Sequence, residues 1–338
     1  MTVTRPLSVL VIFTGGTISS RLSGSAFELS DAPYRLLERI SPDDFVFETF
    51  EAMHIFSENM TPDSLLKLFG AIHDRIDDRI FDGIILAHGT DTLAYTAQLA
   101  DILLSGLGCP VIVLGSKHPL DNPRNDGMSN FRNALVLIRE KLSGVFVVGR
   151  AEDGTDYVHS AGKVMQAFAG TDDFQSYRGQ IYGVIRDGVL EENPDFSRSV
   201  PTYASCEWLS RTAALRADPP ETTVIVLEAA VGFNYQVLDL TRQDYRYILQ
   251  KTYHSGTACT AAKSSPYSLL YLEDLCRQNF KRLFLAPVDS ERTPYSTANE
   301  LAEAGITPVY DRPVEAVWAG LLLCTWLGLD PDDFFEDK

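Results

Sequence analysis

Two short turns place hydroxyls where a chain can do chemistry: Thr14-Gly15-Gly16-Thr17 and His88-Gly89-Thr90-Asp91-Thr92. A threonine hydroxyl is a poor nucleophile at neutral pH until a base or a polarising neighbour takes its proton. The two glycines ahead of Thr17 permit a tight turn and let backbone N–H groups approach a substrate oxygen. The same turn also suits a strand-to-helix connection capped by the threonine, or a phosphate cradle. In the second turn Thr90 and Asp91 are adjacent, so on an extended or turn backbone their side chains diverge. One can face a reacting carbon while the other reaches a neighbouring group. Asp91 equally suits a cap for the helix that follows, and His88 suits a packed structural histidine better than a base.

The elements behind these turns put them in one place. Residues 7–13 and 80–87 are apolar runs of the length and composition of buried strands, and each turn feeds a helical pattern. Ligands of open α/β sheets bind at the carboxyl ends of such strands, so two hydroxyl-bearing turns on one rim can face a single small substrate. Residues 93–105 read as a helix through Leu93, Ala97, Ala100, Leu103 and Leu104, and 111–114 as another buried strand. Residues 128–141 read as a helix with Phe131, Leu135 and Ile138 on one face. This alternation predicts an α/β chain with a larger N-terminal domain, a mostly parallel sheet with helices on both faces, at 1–190. Pro194, Pro201 and Pro219-Pro220 punctuate a polar segment that reads as a connection over 191–221. Beyond it, 223–227 and 282–286 read as strands, 244–253 as a helix followed by a turn, 269–279 as a helix and 315–327 as an apolar helix. Residues 222–338 thus form a smaller C-terminal α/β domain, and no repeat of solenoid spacing is evident.

Composition narrows the partners. With 338 residues, 45% of them hydrophobic and 22% charged, the chain reads as a soluble globular protein of two domains. The net charge of −17 argues against nucleic acid, whose phosphates must be met by Lys and Arg, and against anionic membrane surfaces. No stretch reaches the ~20 apolar residues of a membrane span, and residues 7–13 are too short for a signal peptide and lead directly into the first turn. Five scattered cysteines, with no C-x-x-C, read as reduced thiols in a cytoplasmic protein without structural zinc.

The T-G-G-T-I and H-G-T-D-T turns, in this order and at this separation, resemble the two signatures of bacterial-type L-asparaginases. Further matches are Ser57-Glu58-Asn59-Met60-Thr61, Gly115-Ser116-Lys117-His118-Pro119, Asn125-Asp126-Gly127, and Lys163 ahead of Ala167-Phe168. The likeness covers nearly the whole chain and is closest to the cytoplasmic type I members in length. It implies hydrolysis of L-asparagine to L-aspartate and ammonia: Thr17 attacks the side-chain amide, an acyl-enzyme forms, and a Thr90, Asp91, Lys163 relay serves proton transfer. No cofactor or metal is required. An amino-acid substrate needs a donor for its carboxylate and acceptors for its ammonium; Ser57 and Glu58 supply one of each, with Asp91 as a second ammonium partner. Thr61-Pro62-Asp63 is also a plain helix start that Ser57-Glu58 merely precedes. The resemblance places a backbone carbonyl of Ser116 against the substrate amide. It also implies a homo-oligomer, dimer or tetramer, with Asn234 of a neighbouring C-terminal domain completing the site.

One departure stands out. Many asparaginases carry a flap tyrosine that helps activate the first threonine, and the short-flap alignment puts Phe27 there, which cannot relay a proton. Tyr34 takes the role if the loop is longer. The competing readings are a glutaminase-asparaginase acting on L-glutamine, the asparaginase-like subunit of a tRNA-dependent amidotransferase, and a catalytically impaired amino-acid-binding protein.

Overall fold

The computed structural model describes residues 5–16, 20–23, 26–29, 36–37, 44–77, 79–168, 170–197 and 205–336, with backbone alone at 20–23 and 26–29. The chain divides into two compact units, Met1–Pro219 and Pro220–Lys338. The division falls at the Pro219-Pro220 pair, inside the segment read as a connection.

The first unit contains strands β1 (Leu7–Gly15), β2 (Ser20–Ser23), β3 (Ala26–Leu29), β4 (Phe45–Ile55), β5 (Gly83–Ala87) and β6 (Pro110–Leu114). They are followed by β7 (Gly144–Arg150), β8 (Asp156–Ser160), β9 (Val164–Met165), β10 (Gln175–Ser176), β11 (Gly183–Arg186) and β12 (Val189–Glu192). Its helices are α1 (Pro62–Ile76), α2 (Leu93–Leu104), α3 (Gly127–Arg139) and α4 (Ser205–Ala214). The main sheet runs β12-β11-β8-β7-β6-β5-β1-β4. From β4 to β7 the pairings are parallel, and from β7 to β12 they are antiparallel. Val9, Val11, Phe13, Ile85, Ala87 and Ile112 share a core with Phe131, Ala134 and Ile138 of α3. The intervening Leu10, Ile12, Ile84, Leu86 and Val111 are equally buried, because α2 also packs against β6 and β7. Burial on both faces makes these strands apolar throughout rather than alternating.

Details of the sequence reading shift. The run at 80–87 enters the ladder only at Gly83, and Ile80 is almost fully exposed. Residues 205–214, inside the expected connection, form α4, which packs on α1 and α2. Arg216, just beyond α4, makes a two-pronged ion pair with Asp74 of α1.

The second unit is a four-stranded parallel sheet in the order β13-β14-β15-β16. The strands are β13 (Thr223–Glu228), β14 (Tyr245–Lys251), β15 (Arg282–Val288) and β16 (Thr307–Tyr310). The helices are α5 (Leu269–Gln278), α6 (Ser296–Glu303), α7 (Val314–Leu327) and α8 (Pro331–Phe335). The helix expected at 244–253 is instead β14. An interior strand is covered on both sides, so Tyr245, Tyr247, Ile248 and Leu249 form a run without two-residue alternation, which periodicity alone does not distinguish from a buried helix. Length and the two tyrosines are the marks of a strand. Helix α7 is apolar all round, as a helix enclosed in a core must be.

The strand order positions the chemistry. The chain passes from β1 outward to β4, then crosses to β5 on the other side of β1, so the direction of winding reverses between β1 and β5. In open α/β sheets the crevice outside the carboxyl ends of strands at such a reversal is the usual ligand site.

Candidate active site

Four neighbouring parallel strands end in the singled-out turns: β1 in Gly15-Gly16, β4 in Ser57, β5 in His88 to Asp91, and β6 in Gly115-Ser116. The turns touch backbone to backbone. Gly15 (φ 101°) and Gly16 (φ 74°) lie in the left-handed region. A Cβ on Gly15 would sit 2.3 Å from the carbonyl oxygen of Ile55, one on Gly16 2.4 Å from the α-carbon of Gly89, and one on Gly89 2.5 Å from Ser57 Oγ. Only glycine permits this approach. The Gly16 N–H donates to Ile55 at 3.0 Å, tying the first turn to the end of β4. Thr17 and Tyr34 lie outside the described residues. Phe27 is in β3, its backbone paired with Leu22 of β2, and its side chain lies outside the description.

Ser57 opens a single helical turn, Ser57–Asn59, and is buried, whereas Glu58 is exposed. The hydroxyl of Ser57 donates to Asp91 Oδ2 at 3.4 Å, and its backbone carbonyl accepts from Thr92 Oγ1 at 2.9 Å. A serine donor and a carboxylate thus lie side by side, the pairing that an amino acid's two α-groups require. The simpler alternatives belong to other residues. Thr61 caps α1 by accepting from the Ser64 N–H at 3.2 Å. The N-cap of α2 is Thr92 rather than Asp91, and the Thr92 hydroxyl bonds the Ser57 carbonyl instead of capping its own helix. Thr90 is half-buried and Asp91 exposed.

His88 is fully buried between two fixed partners: Nδ1 is 2.8 Å from the carbonyl of Gly89 and Nε2 is 3.0 Å from Thr96 Oγ1. A carbonyl can only accept, so Nδ1 carries the proton and Thr96 donates to Nε2. Burial pushes the imidazole down to about 4, which leaves it neutral at pH 7. His88 is therefore a structural histidine that fixes the Gly89 carbonyl.

Lys163 is half-buried on the turn Ala161–Lys163, between β8 and β9. Two glutamines that the sequence reading missed fasten this stretch beside the second threonine turn. Buried Gln98 of α2 donates to the Val164 carbonyl at 2.8 Å, and Gln166 donates to the Asp91 carbonyl at 3.3 Å. Gly162 lies against Asp101 of α2 so closely that a Cβ would sit 2.8 Å from its carboxylate. Neither glutamine carries a signal readable from spacing, since each acts on a backbone carbonyl far along the chain.

Ser116 is buried beneath the rim, its hydroxyl 2.9 Å from Asp126 Oδ1 and 2.5 Å from the His118 carbonyl. The neighbouring Gly115 presses on the second turn: a Cβ there would sit 2.9 Å from Thr90 Cγ2. Lys117, to which the sequence assigned no chemistry, pairs with Asp173. Among the described residues no group of three His, Cys, Asp or Glu is placed to hold a metal ion. The rim offers two glycine turns, a hydroxyl at Thr90 and a serine–carboxylate pair, a set suited to binding and attacking a small polar substrate.

The family model described as "Asparaginase, N-terminal" matches residues 8–195. The chain is 29% identical to the L-asparaginase of Thermococcus kodakarensis over 144 residues, 42% of this chain and 43% of that protein. It is 26% identical to a subunit of the glutamyl-tRNA(Gln) amidotransferase of Metallosphaera sedula over 332 residues, 94% of this chain and 72% of that protein. The aligned stretch thus spans less than half the length of the first of these relatives. Among solved structures, the thermostable L-asparaginase from Thermococcus kodakarensis superposes with a TM-score of 0.75 at 22% identity, covering 98% of this chain and 96% of that one.

Proposed function

The chain belongs to the asparaginase family, and from that premise we propose that it hydrolyses the side-chain amide of L-asparagine to L-aspartate and ammonia, as a member close to the bacterial type I L-asparaginases. The observation that carries this reading is the meeting of Gly16, Gly89, Ser57 and Asp91 at the carboxyl ends of adjacent strands.

Ser57, Glu58 and Asp91 hold the α-carboxylate and α-ammonium, and the Ser116 carbonyl receives the amide N–H. Thr17, next in the chain after Gly16, attacks the amide carbon. His88 draws the Gly89 carbonyl toward its own ring, and in a trans peptide this turns the Thr90 N–H the opposite way. That N–H and those near Gly16 stabilise the oxyanion; losing one such donor typically costs ~100-fold or more in kcat. Ammonia leaves, and water activated near Thr90 and Lys163 releases aspartate. The working form is a homo-oligomer, which sedimentation at assay concentration tests.

The alignment spanning 94% of the chain favours a second reading, an asparaginase-like amidotransferase subunit. The net charge of −17 weighs against a tRNA partner. Steady-state ammonia release from L-asparagine and from L-glutamine, with no other protein present, tests both. Turnover of asparagine supports the proposal. Asparagine binding by calorimetry with no ammonia over hours overturns it in favour of a binding protein. The two substrates differ by one methylene, worth ~1–3 kcal/mol in a pocket, so their ratio is left to the assay.

A further inference from the structure

We propose that Asp126 and Asn130 are positioning residues that hold the 115–117 turn against Thr90, and so set the geometry in which the substrate amide meets the hydroxyls. This rests on the reading above. Asp126 occupies the N-cap position of α3, where aspartate ordinarily accepts hydrogen bonds from its own helix, yet its side chain makes no such bond. Its buried carboxylate turns back along the chain instead. Oδ1 accepts the Lys117 N–H at 2.8 Å and lies 2.9 Å from the Ser116 hydroxyl, which itself accepts the Gly127 N–H at 3.1 Å.

Asn130, one turn further along α3, completes the hold. Its Nδ2 donates to the Gly115 carbonyl at 2.9 Å and to Asp126 Oδ2 at 3.1 Å, and its Oδ1 accepts the Arg150 N–H at 3.1 Å from the end of β7. Both side chains are at least nine-tenths buried. Three successive residues of the turn, Gly115, Ser116 and Lys117, are thereby fastened to one helix. The turn in turn bears on the second threonine: space for a Cβ on Gly115 is blocked by Thr90 Cγ2 at 2.9 Å and the His88 carbonyl at 3.1 Å. A shift of this turn therefore moves both the Ser116 carbonyl and the wall against which the Thr90 side chain rests. Misplacement by about an ångström is enough to cost ~100-fold in rate. The α-groups of the substrate are held elsewhere, by Ser57, Glu58 and Asp91, so their binding does not depend on the clamp.

The test is Asp126→Asn, the isosteric change that sets a donor against Asn130 Nδ2, with Asn130→Ala as the second variant. We expect kcat for asparagine to fall ~10- to 100-fold, while L-aspartate affinity by calorimetry stays within ~3-fold of wild type, a split that general loosening does not produce. Unchanged kcat in a folded variant, or kcat and aspartate affinity lost together, overturns the proposal. Amide hydrogen exchange gives a readout independent of turnover: the Lys117 N–H should exchange slowly in the wild type, and fast exchange there overturns the clamp whether or not the variants fold. A wild type that releases no ammonia refutes the proposed activity, and the exchange result then judges the clamp alone.

Discussion

At the residue scale the proposed mechanism rests on two hydroxyls, those of Thr17 and Thr90. Thr17→Ala should lower kcat at least ~1,000-fold, as loss of a nucleophile does, and Thr90→Val, a change of equal shape on a half-buried residue, ~100- to 10,000-fold. Both should keep the wild-type melting temperature within a few degrees. Near wild-type kcat in either variant would remove that threonine from the mechanism. Asp91→Ala should raise KM as well as lower kcat, because its carboxylate faces Ser57 and is the proposed partner of the substrate ammonium. The flap gives a paired test. If Phe27 stands where a tyrosine would relay a proton, Phe27→Tyr raises kcat and Tyr34→Phe leaves it alone; the reverse pattern assigns the flap to Tyr34. Proton assistance is commonly worth ~100- to 10,000-fold, so a restored relay should be measurable.

At the element scale the turns matter more than the helices that follow them. Gly16→Ala would put a methyl 2.4 Å from the Gly89 α-carbon at a left-handed φ, so the first turn must retreat from the second. We expect a stability loss of ~1–3 kcal/mol by overpacking and a fall in kcat/KM of ~100-fold; denaturant titration and steady-state kinetics check both. Unimpaired activity would show that the turns need not touch. The parallel strands and α2 are legible in the sequence because burial on both faces gives strands continuous apolar runs and gives helices a 3.6-residue stripe. The same kind of run misleads at β14, where an interior strand with two tyrosines reads as a helix. The placement of Thr90, Asp91 and Ser57 on one rim is legible because each lies in a turn that follows a strand. Asp126 stands out only within the Asn125-Asp126-Gly127 match and Asn130 not at all; what the two side chains hold is not legible, since their partners are turn atoms nine to fifteen residues back and no period links them.

At the scale of the whole molecule, acid should destabilise the fold before the carboxylates titrate. His88 and His159 are fully buried, and burial holds both down at about 4, against 6.5 for the ordinary imidazole. A depressed histidine leaves stability intact above the unfolded value and loses it as pH falls toward the folded one, because the unfolded chain binds the proton first. Each group accounts for about 3 kcal/mol between pH 6.5 and 4. At Asp82 burial pulls the carboxyl upward, but its bonds to Arg5 and Ser8 together outweigh that and hold it low, so its loss is added only below the ordinary aspartate range. Melting temperatures measured from pH 7 to 5 should fall, and His159→Gln, which can still bond Ser176, should flatten the slope. A melting temperature unchanged over that range would mean that these imidazoles are not buried in neutral form.

The reversal of winding between β1 and β5 also has a consequence in time. The contacts that assemble the site join segments distant in sequence: Ser57 to Asp91 over 34 residues, and Gln166 to Asp91 over 75. Such long-range pairings meet their loop-closure cost before their contacts reward it, and so form slowly. A chain emerging from synthesis carries β1 and its glycine turn long before β5 exists to face it. The candidate site is thus one of the last features the first unit acquires, and if the proposed activity holds, recovery of turnover after dilution from denaturant cannot precede completion of this topology.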